Sequence, residues 1–181
     1  MAPTELTAHP DFPSDAVEAM AVEAVRLGST RLRLSYLLAG QLEALALPPS
    51  APPERTDELW RHTCLECFVA AGDPAAGYVE LNFSPSSQWA AYRFGGYRQG
   101  MAPAEIAAPT IVVLPGVGRL MQTIVSVDLA GLMPPDAPWR CALTAVIEAQ
   151  GGAKSYWSLA HPPGLPDFHH AAGFALELPP P

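Results

Sequence analysis

Residues 60–101 read WRHTCLECFVAAGDPAAGYVELNFSPSSQWAAYRFGGYRQGM, and their alternation decides the fold. In 78–84, Val79, Leu81 and Phe83 share one face, while Tyr78, Glu80, Asn82 and Ser84 share the other. A period of two marks a half-buried strand. Ser84-Pro85-Ser86-Ser87 has the composition of a turn. The following run, 88–94, sends Tyr92 and Phe94 to one side and Trp89, Ala91 and Arg93 to the other. With Tyr92 and Phe94 assigned to the core beside Val79, Leu81 and Phe83, Glu80, Asn82, Trp89 and Arg93 are expected to converge on the opposite face. The preceding run, 62–70, separates Cys64, Glu66 and Phe68 from Leu65, Cys67 and Val69. A sheet face holding rings, carboxylates and a guanidinium is expected to be a ligand platform.

Outward from this centre the chain reads as further short strands. Residues 17–26 and 31–39 form an expected hairpin around Gly28-Ser29, with Met20, Val22, Ala24, Leu32, Leu34, Tyr36 and Leu38 inward. Residues 1–15 are expected to be an irregular lead-in, and 16–181 a single domain. A short strand is expected at 45–47, before the Pro-rich loop PPSAPPERTDE. The Gly- and Pro-punctuated segment 95–109 is placed as a loop able to fold over the platform. TIVVL (110–114) reads as a strand buried on both faces. Further strands are expected at 119–128, 139–149, 155–160 and 174–178. About nine to eleven antiparallel strands at this spacing imply an all-β fold, an immunoglobulin-like or jelly-roll sandwich.

Composition narrows the function. The 181 residues carry ten basic and eighteen acidic groups, a net charge of −8, and 21 prolines. The negative surface argues against nucleic acid and anionic membranes as partners. The prolines argue against long helices. No run approaches a membrane span, and the N-terminus lacks the pattern of a secretory signal. Three cysteines form no disulfide framework, and the expected setting is a reducing cytoplasm.

Several constellations invite chemistry. Cys64 and Cys67 form a C-x-x-C, but on a strand they face opposite ways and no second ligand pair completes a metal site, so they read as buried structural thiols. Glu66, Glu80 and Asn82 suit hydrogen bonding to a polar ligand beside stacking rings, or an ion pair of Glu66 with Arg93 or Arg61 that orders the sheet. A glycosidase-like carboxylate pair ranks below both, and no nucleophile elbow or phosphate loop is present. Trp60, with Arg61 and His62 behind it, is expected to be partly exposed and to stack. Trp139 opens an apolar strand and belongs to the core. Trp157 fits either role. His161, His169 and His170 lie in a loop where a carboxylate or carbonyl partner is the commoner reading. Met101 with His161 or His169 is an alternative axial pair for haem b held non-covalently.

The runs W-x-x-T-C-L-E-C-F-V, then Y-V-E-L-N-F-S-P-S-x-x-W-A-A-Y-x-F-x-x-Y-R-x-G-M, then Y-W-S-L-x-H-P-x-G-x-P-D-F-H-H-x-x-x-F resemble the DOMON-like bacterial proteins. Those are relatives of family 9 carbohydrate-binding modules and of haem-binding DOMON domains. The resemblance covers 17–178 and implies a sandwich with one concave ligand face and no catalysis. It implies that Trp60 and Glu66, six apart, hold the end of a sugar, that Trp157 is the second stacking ring, and that Arg93 contacts the sugar. It also implies the haem alternative through Met101 and a late histidine. A third reading is an interaction or structural domain whose polar face is covered by a partner or by its own loop.

Overall fold

The computed structural model describes residues 2–115 and 118–181. Among them are twelve strands and no α-helix: β1 (Thr4–Ala8), β2 (Val17–Leu27), β3 (Arg31–Gly40), β4 (Cys64–Ala70), β5 (Tyr78–Phe83), β6 (Trp89–Phe94), β7 (Ala102–Pro103), β8 (Thr110–Pro115), β9 (Leu120–Asp128), β10 (Trp139–Glu148), β11 (Lys154–Ser158) and β12 (Leu176–Leu178). The strands run in the order β7-β6-β5-β4-β10-β11-β1-β2-β3-β9-β8, with β12 on β10. Every strand pairing is antiparallel. The sheet curls into a β-sandwich, as the alternation requires.

β1 belongs to both layers. Thr4, Glu5 and Leu6 pair with β2, and Thr7 and Ala8 with β11. The expected irregular lead-in is therefore a seam strand; its five residues are too few, and too polar, to show a period. The β2–β3 hairpin turns at Gly28, whose φ of +78° suits a residue without Cβ.

Between the layers lie Met20, Val22, Leu32, Leu34 and Leu38 from one side and Leu65, Cys67, Leu81, Phe83, Leu143 and Trp157 from the other. Tyr36 crosses this core and donates its hydroxyl to the Glu66 carbonyl at 2.7 Å. Trp139 is fully buried, as expected, with Arg26 stacked 3.8 Å from its ring centroid.

Three local expectations fail for physical reasons. Residues 45–47 make only an isolated bridge from Leu45 to Ala149, after a 3₁₀ turn at Leu42–Ala44. TIVVL is not buried on both faces: β8 pairs only with β9, and Val112 and Leu114 are each 42% exposed at the sheet edge. The third correction decides the site. β6 pairs with β5 so that Tyr78 faces Phe94, Glu80 faces Tyr92 and Phe83 faces Trp89. Tyr92 and Phe94 thus stand on the Glu80 face, and Trp89 and Arg93 on the Leu81 face. Both sides of β6 carry large apolar groups, so its own alternation does not choose a face; the 84–88 turn does, and a shift of one residue inverts every side chain.

Candidate functional site

On the outer face of the first layer, a second cluster of rings forms over β4, β5, β6 and β10: Phe68, Tyr78, Tyr92, Phe94, Phe168 and Phe174. Three irregular segments wall it in. The first is the 3₁₀ turn Leu59–Arg61, which presents Trp60. The second is the loop after β6, carrying Tyr97, Arg98 and Met101. The third is the loop after β11, carrying Asp167, Phe168 and His169. Together they enclose a half-open cavity of about 410 Å³ lined by Trp60, Glu66, Glu80, Phe94, Arg98, Met101, Val146, Tyr156, Pro166, Phe168 and His169.

The walls are tied to one another. Tyr97 donates its hydroxyl to Asp167 Oδ2 at 2.7 Å, and Arg98 reaches Asp167 Oδ1 at 2.9 Å. The Arg98 backbone N–H donates to the Tyr78 hydroxyl at 3.1 Å, and that hydroxyl lies 2.8 Å from His169 Nδ1. With one lone pair engaged by Arg98, Tyr78 is satisfied by donating its own proton to Nδ1. The neutral imidazole then keeps its proton on Nε2, which faces Glu80 Oε2 at 3.8 Å. Trp60 is partly exposed and meets Tyr92 edge to face at 5.8 Å, so its orientation is set while one side stays open.

At the floor are two carboxyl groups. Period two puts Glu66 of β4 and Glu80 of β5 on the same face, with Asn82 opposite Glu66 and Phe68 opposite Glu80. Asn82 is fully buried and donates Nδ2–H to Glu80 Oε1 at 2.7 Å, so it positions that acid from beneath. Glu66 is 3% exposed, and its Oε1 has no hydrogen-bond partner among the described residues. Directly across β10, Thr144 Oγ1 is equally orphaned. Orphaned buried polar atoms cost roughly 1–3 kcal/mol each, so each calls for an explanation; Arg26 Nε, Trp89 Nε1 and His161 Nδ1 are orphaned too, away from this cavity.

Burial dominates the electrostatics. It pushes Glu80 up to about 7, opposed by the Asn82 hydrogen bond and by Arg98. It also raises Glu66 well above the carboxylate range, with Glu80 adding repulsion. His169 is pushed down to about 4, again by burial first and then by the Arg98 charge. Although His169 and Glu80 stand at ion-pair distance, the interior disfavours charge on both. Near neutral pH His169 is neutral and Glu80 only partly ionised, so the two form no salt bridge.

Of the residues expected at the platform, Trp60, Glu66, Glu80 and His169 share this cavity, with Asn82 underneath. The others lie elsewhere. Trp89 is in the sandwich core, and Arg93 projects to solvent from the opposite sheet face. Trp157 is a core residue, 5% exposed, with its indole N–H on Ser155 Oγ at 3.0 Å. Arg61 points outward and pairs with Glu58 at 2.9 Å. Neither arginine therefore neutralises Glu66.

His161 donates Nε2–H to the Thr7 carbonyl, 2.8 Å away, in a separate groove beside His9. It does not share a cavity with Met101. His169 does, but its Nδ1 is engaged by Tyr78 and its Nε2, which carries the proton, faces Glu80 at 3.8 Å, so this imidazole offers no free lone pair to an iron. The residues do not fit haem.

The C-x-x-C behaves as its strand dictates. Cys64 faces Asn82, Sγ to Oδ1 3.8 Å, and Cys67 faces the core; both are buried, free thiols. Tyr156, Phe168, Arg98 and Thr144 escaped the sequence reading. A signal existed for one of them: in 155–160 the parity that buries Trp157 against Ala145 turns Tyr156 outward.

No protein-family model matches the chain, and no curated protein does. Among solved structures, it is similar to a "putative carbohydrate-binding protein" from Bacteroides uniformis, with a TM-score of 0.65 and 15% identity over 94% of this chain and 81% of that one. It is also similar to a family 9 carbohydrate-binding module from Caldicellulosiruptor kristjanssonii solved with glucose, with a TM-score of 0.50 and 8% identity over 89% of this chain and 75% of that one. At these identities what is shared is the β-sandwich.

Proposed function

We propose that this chain is a non-catalytic sugar-binding β-sandwich and that the cavity over β4–β5–β6 is its binding site. The observation that carries the reading is the joint placement of a partly open Trp60 ring and of Glu66, with an unpartnered carboxyl oxygen, in the lining of one cavity. A pyranose has two faces of C–H groups that pack on aromatic rings and an edge of hydroxyls that requires acceptors and donors at the base. Trp60, Phe94, Tyr156 and Phe168 supply the rings, and Glu66, Glu80 and His169 the polar contacts. The fold shared with a module solved with glucose supports the same reading.

Among the described residues no activated nucleophile stands near the acids. The two carboxyls lie in a cavity whose burial keeps both from ionising readily, which favours hydrogen bonding over attack. Tryptophan fluorescence and calorimetry against a panel of mono- and oligosaccharides test the proposal. Saturable binding that Trp60→Ala removes is the expected result; silence across the panel, with the protein folded, would refute it.

A further inference from the structure

We propose that the sugar this cavity takes carries a protonated amino group, so that the site prefers amino sugars to neutral ones. The inference rests on the sugar-binding reading and adds the chemical class of the ligand. Its basis is a pair of buried acids in the cavity floor. Glu66 and Glu80 are diagonal neighbours on adjacent strands, 3% and 4% exposed, and both line the same space.

Among the groups facing them one cation, Arg98, offsets the acids only in part, because it is shared with Asp167. From β5 come Tyr78 and Asn82, both uncharged; from β4 comes the Cys64 thiol; from β10, Thr144. From the loop after β11 come His169, which burial keeps neutral, and Asp167, an anion. From the loop after β6 comes Arg98, whose guanidinium is committed to Asp167 at the rim. The one lysine in the sequence, Lys154, lines a different groove.

A neutral hydroxyl would satisfy the Glu66 acceptor but would do nothing to relieve the repulsion that, with burial, keeps the two acids from ionising. An ammonium group brings three N–H donors and no acceptor. That suits a floor with an unpartnered carboxyl oxygen on Glu66 and a second carboxyl on Glu80, both of which a bound cation would help to ionise. The aromatic walls fit as well. Ring faces attract cations as they attract sugar C–H groups, and a cation shielded from water gains most from them. Charge-assisted hydrogen bonds are about twice as strong as neutral ones, which gives a measurable preference.

The test is calorimetry of the full chain with glucosamine, glucose and N-acetylglucosamine, the last removing the charge while keeping the nitrogen. Glucosamine is expected to bind at least tenfold more tightly than either neutral sugar at pH 7. Its affinity should climb between pH 5.5 and 7 as Glu80 loses its proton, while that of glucose stays level. In Glu80→Gln, which keeps the oxygen that accepts from Asn82, and independently in Glu66→Gln, the glucosamine-to-glucose ratio should fall toward one.

Glucose or N-acetylglucosamine binding as tightly as glucosamine to the wild-type protein would overturn the inference and leave the sugar-binding reading intact. Failure of all three sugars to bind the folded protein would overturn both. The wild-type ratio needs no variant, so a substitution that misfolds does not obscure the answer.

Discussion

β4 and β5 present two faces built by the same alternation, and the faces differ in how completely they are satisfied. The inward one, with Leu65, Cys67, Val69, Val79, Leu81 and Phe83, is apolar throughout and packs against the second layer. The outward one interleaves Phe68 and Tyr78 with Glu66, Glu80 and Asn82, and it retains an unpartnered oxygen on Glu66 beneath an open cavity. One face serves stability alone. The other gives up stability by burying acids that Arg98 offsets only in part, the pattern of a surface kept for a ligand.

Substitutions on the two faces should therefore move in opposite directions. The largest effect is expected on the inward face: Phe83→Ala, at a fully buried ring, should destabilise the protein by roughly 3–5 kcal/mol in urea unfolding. On the outward face, Glu80→Gln should stabilise. A carboxyl held at about 7 in the fold but 4.5 unfolded favours the protonated native state, so stability drains away as pH rises from about 4.5 to 7.

Removing that proton site should raise stability at pH 8 by on the order of 2–3 kcal/mol and change little at pH 4. His169, pushed down to about 4, contributes the opposite slope between about 4 and 6.5. The difference between variant and wild type, rather than the wild-type curve, isolates the acid. Equal shifts at both pH values would mean that Glu80 is charged in the fold.

Smaller effects sharpen the contrast. Trp60→Ala should weaken sugar binding at least tenfold, about 1.4 kcal/mol, with unfolding displaced by less than the Phe83 variant by a wide margin, because its ring is already partly exposed. Arg93→Ala should leave sugar affinity within twofold. A large loss there would place β6 in the opposite register and put Arg93 back on the ligand face.

Much of this was legible in the chain. The alternation in 17–39 and 62–84 gives the sandwich and the correct inward sets, and it places Glu66, Glu80 and Asn82 on one side. The 95–109 segment reads as a loop able to fold over the platform, but the Arg98–Asp167 tie that holds it against the loop after β11 does not show in the sequence. What alternation could not supply was parity wherever both faces are apolar. β6 carries Trp89 and Ala91 against Tyr92 and Phe94, and β11 carries Trp157 against Tyr156. In each pair the neighbouring strand's register chooses, so Trp89 and Arg93 were expected on the wrong side, and Trp157, which fits either role by alternation, lies in the core and not at the stacking position that the resemblance implies. β8 misled for a related reason: a uniformly apolar run looks central, but its place at the edge is a property of strand order. The orphaned Thr144 is invisible without coordinates, since only pairing of β10 with β4 sets it beside Glu66.

The seam strand has a mechanical corollary. Because Thr4–Leu6 zips to one layer and Thr7–Ala8 to the other, the outermost stretch of chain acts as a stitch through both halves of the molecule. Peeling it off would free two edges at once, exposing β2 and β11 to solvent and to strand-hungry neighbours. Amide protons on those two strands should then exchange as a single cooperative unit, even though they sit in different layers.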